Sequence, residues 1–144
     1  MSETVFVLNG PNLNLLGTRE PDIYGRESLD DIGAMLSAQA AALGLVIDMR
    51  QSNHEGHLID WLHEAQAVRA KAVIFNPGGY SHTSVALHDA VKAISTPVIE
   101  VHLSDPDTRE AFRHVDLVGL AARSVIKGLG SAGYTQALDA AARL

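Results

Sequence analysis

The residues best suited to chemistry fall in three short stretches, each following an apolar run. Residues 9–25 read NGPNLNLLGTREPDIYG after Val5-Phe6-Val7-Leu8, and they carry Asn12, Arg19 and Tyr24. Asn76-Pro77-Gly78-Gly79-Tyr80-Ser81-His82-Thr83-Ser84 adds an amide and an imidazole, and Glu100, His102, Leu103 and Ser104 form the third group. A guanidinium, a phenol, two imidazoles and amides, with neither an acidic cage nor a thiol, suit proton transfer on a hydroxylated substrate. A free phenol has a pKa of about 10, and each unit of depression corresponds to about 1.4 kcal/mol. A neighbouring guanidinium supplies that bias.

Each group also has a plainer reading. Arg19 and Tyr24 fit an ion-paired loop with an aromatic anchor, and His82 fits a cap for a helix starting near Thr83. Glu100 and His102 stand two apart, so on a strand they share a face. They are either a structural pair, or a carboxylate that orients the imidazole and supports its protonated form. His54 and His57 in HEGH lack the spacing of the zinc-protease helix, and no metal site is expected. Arg109 and Arg113 are four apart and predict one helical face, solvated or ion-paired by default, with Arg113 the one expected to meet a ligand.

The elements that position these groups follow from hydrophobic pattern. Apolar, largely β-branched runs at 4–8, 45–49, 72–75, 98–101 and, less clearly, 123–126 alternate with helical stripes. The stripes are Leu29/Ile32/Leu36/Ala40, Leu58/Trp61/Leu62/Ala65, Val85/Leu87/Val91/Ile94, and an Ala-rich terminal helix over 133–144. Alternation of strand and helix predicts an α/β fold with a five-stranded parallel sheet and about five helices, most simply a flavodoxin-like three-layer sandwich. Its ligand crevice lies at the carboxyl ends of the strands, where the three polar stretches fall. Ser28 with Asp31, Asn53 with Glu55, and Thr83 or Ser84 are the expected helix starts, and Gly44 the expected stop. The loop at 9–25 is much longer than the usual ~4–6 residues, which marks it as functional, and 19–24 as a lid.

At 144 residues the chain fits one domain, 1–144, and 47% hydrophobic residues with mean hydropathy +0.07 fit a soluble globule. No apolar run approaches the ~18 residues of a membrane span, and MSETVFVLNG lacks the features of a secretory signal, so neither membrane nor export is expected. With no cysteine there are no disulfides or thiolate metal sites, which is compatible with a cytoplasmic location. A net charge of −6 with dispersed basic residues argues against nucleic acid, while a small anion needs only local donors.

The first stretch, GPNLNLLGTREP-x-IYG, resembles the amino-terminal signature of the type II 3-dehydroquinate dehydratases. NPGGYSHTSVALHDA, EVHLS, RE-x-FRH, QSNHEG and GLG-x-x-GY are similar to further segments of that family, so the resemblance spans nearly the whole chain. It implies a lyase without cofactor that dehydrates 3-dehydroquinate to 3-dehydroshikimate by anti elimination through an enolate. It also implies a homododecamer built as a tetramer of trimers, serving aromatic biosynthesis by the shikimate route or quinate breakdown. By the same resemblance Tyr24 is the base at C2, His102 the acid at the C1 hydroxyl, and Arg19 the activator of the tyrosine. Asn12 holds a water beside the enolate oxygen, and Glu100 accompanies the catalytic set. Asn76, His82, Leu103, Ser104 and Arg113 bind substrate, and Asp89 reaches the site from a neighbouring subunit. Three positions depart from the family: Asp105 for Asn, Asp116 for Ser and His88 for Arg. Extra negative charge near the carboxylate grip predicts a raised KM, and the departures motivate a rival reading as a binding protein for a quinate-like acid. A flavodoxin or receiver module fits less well, since the first and third strands end in Asn9-Gly10-Pro11 and Asn76, without a hydroxyl-rich phosphate loop or an acceptor aspartate.

Overall fold

In the computed structural model, residues 2–144 are described. Strands β1 (Glu3–Asn9), β2 (Leu45–Gln51), β3 (Ala72–Asn76), β4 (Val98–His102) and β5 (Ser124–Lys127) form one parallel sheet in the order β2-β1-β3-β4-β5. That order is the flavodoxin-like one, and the expected strands are all present with ends displaced by a residue or two.

Period-two alternation explains the layers. Val5 and Val7 of β1 face Ile32 and Leu36 of α2 (Leu29–Ala42) and Tyr134 and Leu138 of α5 (Ala132–Ala142). Phe6 and Leu8 face the other side, against Leu58 and Leu62 of α3 (Glu55–Ala67) and Leu87 and Val91 of α4 (Val85–Ala93). A sheet covered on both faces must be apolar on both, which is why β1 and β3 carry continuous apolar runs, and β4 does so but for Glu100 and His102. Each such side chain contributes about 1.5–3 kcal/mol on burial.

Helix ends set where the loops begin. Ser28 and Asp31 form a reciprocal capping box at the start of α2, with Asp31 N–H donating to Ser28 Oγ (3.1 Å) and Ser28 N–H to Asp31 Oδ2 (3.0 Å). Gly44, with φ +72°, follows α2 as expected. Ser84, not Thr83, caps α4 by accepting the Leu87 N–H at 2.9 Å, so His82 is not the cap. Asn53 does not cap α3. Ser52 Oγ receives the His54 N–H instead (2.9 Å), which frees Asn53 Oδ1 to accept from Asn12 N–H (3.0 Å) in the first loop. Arg109 and Arg113 do not share a helix either. Their segment is two 3₁₀ turns, Pro106–Thr108 and Ala111–Arg113, the first closed by the Asp105 carboxylate accepting the Asp107 N–H (3.0 Å) and followed by an extended Arg109. The long first loop is itself ordered by a 3₁₀ turn, Leu13–Leu15, and the single turn α1 (Pro21–Tyr24), which has proline at its start where no N–H is needed.

Candidate active site

The floor of the site is built by β1 and β3, whose last residues, Asn9 and Asn76, are register partners. Both are buried, and a third buried group joins them. Asn76 Nδ2 donates to Tyr134 Oη (3.0 Å), Tyr134 donates to Asn9 Oδ1 (2.7 Å), and Asn9 Nδ2 donates to the Arg50 carbonyl (2.9 Å). Asn76 Oδ1 also takes the Gly78 N–H at 3.1 Å, so the amide is held at both ends. A polar chain satisfied in this way fixes side-chain direction, whereas an unpaired buried group would cost about 1–3 kcal/mol. Immediately beyond, Gly10 N–H donates to the Asn76 carbonyl (2.8 Å), and a Cβ on Gly10 would fall 2.4 Å from the Pro77 carbonyl oxygen. Only glycine lets the two loops touch there, and no other residue fits without moving backbone.

Above this floor lies a cavity of about 420 Å³. From the first loop it is lined by Asn12, Arg19 and Tyr24; from the second by Asn76 and His82; from the end of β4 by His102, Leu103 and Ser104; and from the 3₁₀ turns by Arg109 and Arg113. Arg19 and Arg109 lie over the Tyr24 ring, with guanidinium carbons 4.5 and 5.1 Å from its centroid. Arg109 Nη1 also donates to Ser104 Oγ at 3.2 Å. The Leu103 and Ser104 carbonyls accept from Gly130 (2.9 Å) and Gly128 (3.0 Å), which fixes that turn at the cavity wall. Arg113 reaches the cavity with its Nε on Glu110 (2.9 Å), a carboxylate that an incoming anion must compete with.

The two imidazoles are stacked, with centroids 6.4 Å apart and planes 21° from parallel. His82 Nδ1 meets the Val115 carbonyl at 2.7 Å, and since a carbonyl only accepts, Nδ1 carries a proton, while Nε2 lies 3.4 Å from Ser81 Oγ. His102 turns Nε2 inward, 3.4 Å from Glu100 Oε2 and 3.9 Å from Asp116 Oδ2. Of the two readings of the Glu100–His102 pair, support for a protonated imidazole runs against the burial of both groups. Burial, reinforced by Asp116, pushes the Glu100 carboxyl up to about 10, and burial pushes the His102 imidazole down to about 4. Glu100 is fully buried, and away from water the charged form of each group is the costly one, so the pair is neutral.

Of the other residues singled out from sequence, Glu100 stands behind His102 and does not line the cavity, and neither does Asp89 on α4, which contacts its neighbour His88 (3.2 Å). Asp105 is occupied as the cap of its 3₁₀ turn and also lies outside the cavity lining. Sequence reasoning missed Arg109, because an i, i+4 pair was assigned to a helix that Pro106 and the Asp105 cap replace with turns. It also missed Tyr134, whose only signal was a tyrosine in the late GLG-x-x-GY segment. Among the described residues, the only His/Asp/Glu group whose oxygens and nitrogens cluster is Glu100, His102 and Asp116, all within 4.8 Å.

An open α/β sheet with acid–base side chains gathered at its carboxyl edge is the framework of an enzyme, and comparison gives it a family. The family model described as Dehydroquinase class II matches residues 3–142. The chain is 59% identical to the 3-dehydroquinate dehydratase of Maricaulis maris over 141 residues, covering 98% of this chain and 96% of that protein. It is 56% identical to the one from Phenylobacterium zucineum over 144 residues, covering 100% and 99%. Its fold is similar to the crystal structure of type II dehydroquinase from Propionibacterium acnes, with a TM-score of 0.96 at 42% identity, over 100% of this chain and 99% of that one. The chain belongs to the class II dehydroquinase family, and it is accordingly a hydro-lyase.

Proposed function

We propose that residues 1–144 work as one catalytic domain that dehydrates 3-dehydroquinate to 3-dehydroshikimate through an enolate, in an anti elimination, with Tyr24 as base and His102 as acid. The observation that carries this reading is the meeting, in one cavity, of a phenol under two guanidiniums and an imidazole from the end of β4. Tyr24, as phenolate beside the positive charge of Arg19 and Arg109, takes the C2 proton, and the electron pair moves onto the ketone oxygen. Asn12, held by its backbone bond to Asn53 with φ +69°, borders the cavity where a water beside that oxygen would sit. As the enolate collapses, a double bond forms between C1 and C2 and the C1–O bond breaks. His102 supplies the proton with which the hydroxyl leaves as water.

Asn76, His82, Leu103, Ser104 and Arg113 hold the substrate's hydroxyls and carboxylate. A base and an acid with different protons to handle meet the requirement of β-elimination from a ketone without a cofactor. Assembly as a homododecamer is part of the same proposal, with Asp89 completing a neighbour's site. Its support is the position of Asp89 outside its own chain's cavity, together with the exposed apolar side chains Val85, on the same helix, and Leu120. A cytoplasmic location is compatible with the lack of cysteine, and among the described residues no helix is long and apolar enough to cross a membrane.

Ultraviolet absorbance of the conjugated product tests the chemistry. The wild-type chain turns over 3-dehydroquinate, while Tyr24→Phe and His102→Ala each lose at least about 10²-fold in kcat, the usual worth of one acid or base. Wild-type binding without turnover would instead favour the binding-protein reading, and full activity in Tyr24→Phe would remove the tyrosine from its role.

A further inference from the structure

Behind His102 is a group of atoms that the reaction described above leaves unexplained. Neither Glu100 oxygen has a hydrogen-bond partner, nor has His102 Nε2, although all three are enclosed. Asp116 Oδ1 accepts the Gly119 N–H at 2.9 Å, which leaves Oδ2 turned toward the other two side chains. The enclosure is tight. A Cβ on Gly119 would lie 2.3 Å from Asp116 Oδ2 and 2.9 Å from Glu100 Oε2.

Two ionised carboxylates have nothing to donate to each other, and away from water they repel, so such a pair takes up a proton. The proton belongs on the more deeply buried member. Glu100 has no exposed surface, while the Asp116 side chain is 30% exposed and holds a backbone N–H, so Asp116 is the better site for the charge.

We propose that Asp116 is a positioning residue for His102: by facing Glu100 it keeps that carboxyl protonated as a donor to Nε2, and so keeps the His102 proton on Nδ1, toward the cavity. This rests on the reading of His102 as the acid. The high pKa of Glu100 and the low pKa of His102 agree with it. The other titratable groups around the trio are His82, stacked on His102 from the second loop, and Lys127, the sheet neighbour of His102 on β5, itself paired with Asp107. Protons then balance. Nδ1–H passes to the departing hydroxyl as the C1–O electron pair leaves with oxygen, and Nε2 takes the Glu100 proton; when water in the cavity reprotonates Nδ1, Nε2 returns its proton to Glu100 and the starting tautomer is restored.

The test joins the pH dependence of kcat with NMR of the His102 ring nitrogens. In Asp116→Asn, and in Asp116→Ser, removal of the like charge lets Glu100 ionise more easily. The alkaline limb of kcat should move down by at least about one pH unit. KM should stay within about two-fold of wild type, against the raised KM expected from the sequence, because Asp116 does not line the cavity. Glu100→Gln retains an N–H donor for Nε2, and in that background Asp116→Asn should no longer shift the limb. NMR should show neutral His102 with its proton on Nδ1 in the wild type, and loss of that single tautomer in Asp116→Asn. An unmoved limb, an equal shift with and without Glu100, or a chelator that reproduces the Asp116→Asn effect would each overturn the proposal. The NMR arm decides it even for a chain with no turnover, so its failure is separable from failure of the assigned reaction.

Discussion

Glu100 ties the site to the stability of the fold. Its carboxyl is raised by burial to about 10 from 4.5, so the folded chain keeps a proton that the unfolded chain gives up. That contribution is complete below about pH 4.5 and is lost as pH rises toward 10, at up to about 1.4 kcal/mol per pH unit. His102, lowered to about 4 from 6.5, acts in the opposite sense: its contribution is present above 6.5 and lost as pH falls toward 4. Urea unfolding of Glu100→Gln at about pH 7 and about pH 9 isolates the first effect, because the amide does not titrate. Wild type should lose ~1–3 kcal/mol more than the variant over that interval. An equal loss in both would mean that Glu100 is already ionised in the folded chain. At this scale the sequence was a good guide to types and a poor one to states. The i, i+2 spacing of Glu100 and His102 gave their shared face, but protonation depends on enclosure by Asp116 and Gly119, residues more than a dozen positions away that no local pattern connects to β4.

At the scale of elements, the first loop and α2 are joined by Ser28. It ends the stretch that contains Arg19 and Tyr24, and it opens the helix whose Ile32 and Leu36 enter the core. Ser28→Ala removes the acceptor for the Asp31 N–H and weakens both halves of the capping box. Thermal or urea unfolding should show a loss of about 1 kcal/mol, with kcat nearly unchanged because no catalytic group moves. A large fall in kcat at unchanged stability would mean that α2 steers Tyr24 directly. The strands and long helices were legible because period two and period 3.6 are local signals, and Ser28 with Asp31 declared itself by spacing alone. The region of residues 105–116 was not legible. Two short turns held by an aspartate cap carry too few residues for any period, and a helical spacing of arginines there was coincidence. Asn53 misled for a related reason: a residue with the chemistry of a cap was used by a distant loop, where its oxygen meets the Asn12 N–H.

For the whole molecule, the proposed contribution of Asp89 to a neighbour's site makes activity a property of the assembly. Tyr24→Phe lacks the base in its own cavity, while Asp89→Ala would spoil only the cavity next door. Refolded together, two nearly inactive variants should recover a measurable fraction of wild-type turnover, since some sites would pair an intact Tyr24 with an intact Asp89. Light scattering should report a particle much larger than one chain. A monomer with full activity, or no recovery on mixing, would confine the reaction to a single chain. The contact of Gly10 with Pro77 has a consequence for anyone shaping an inhibitor. With that seam closed by backbone, a ligand has no give beneath it, and added bulk must grow sideways past Tyr24 and Arg109. There a second hollow shares Tyr24, Leu103, Ser104 and Arg109 and continues to the start of α5. Compounds extended in that direction should gain affinity, and those extended downward should be rejected by a wall that cannot yield.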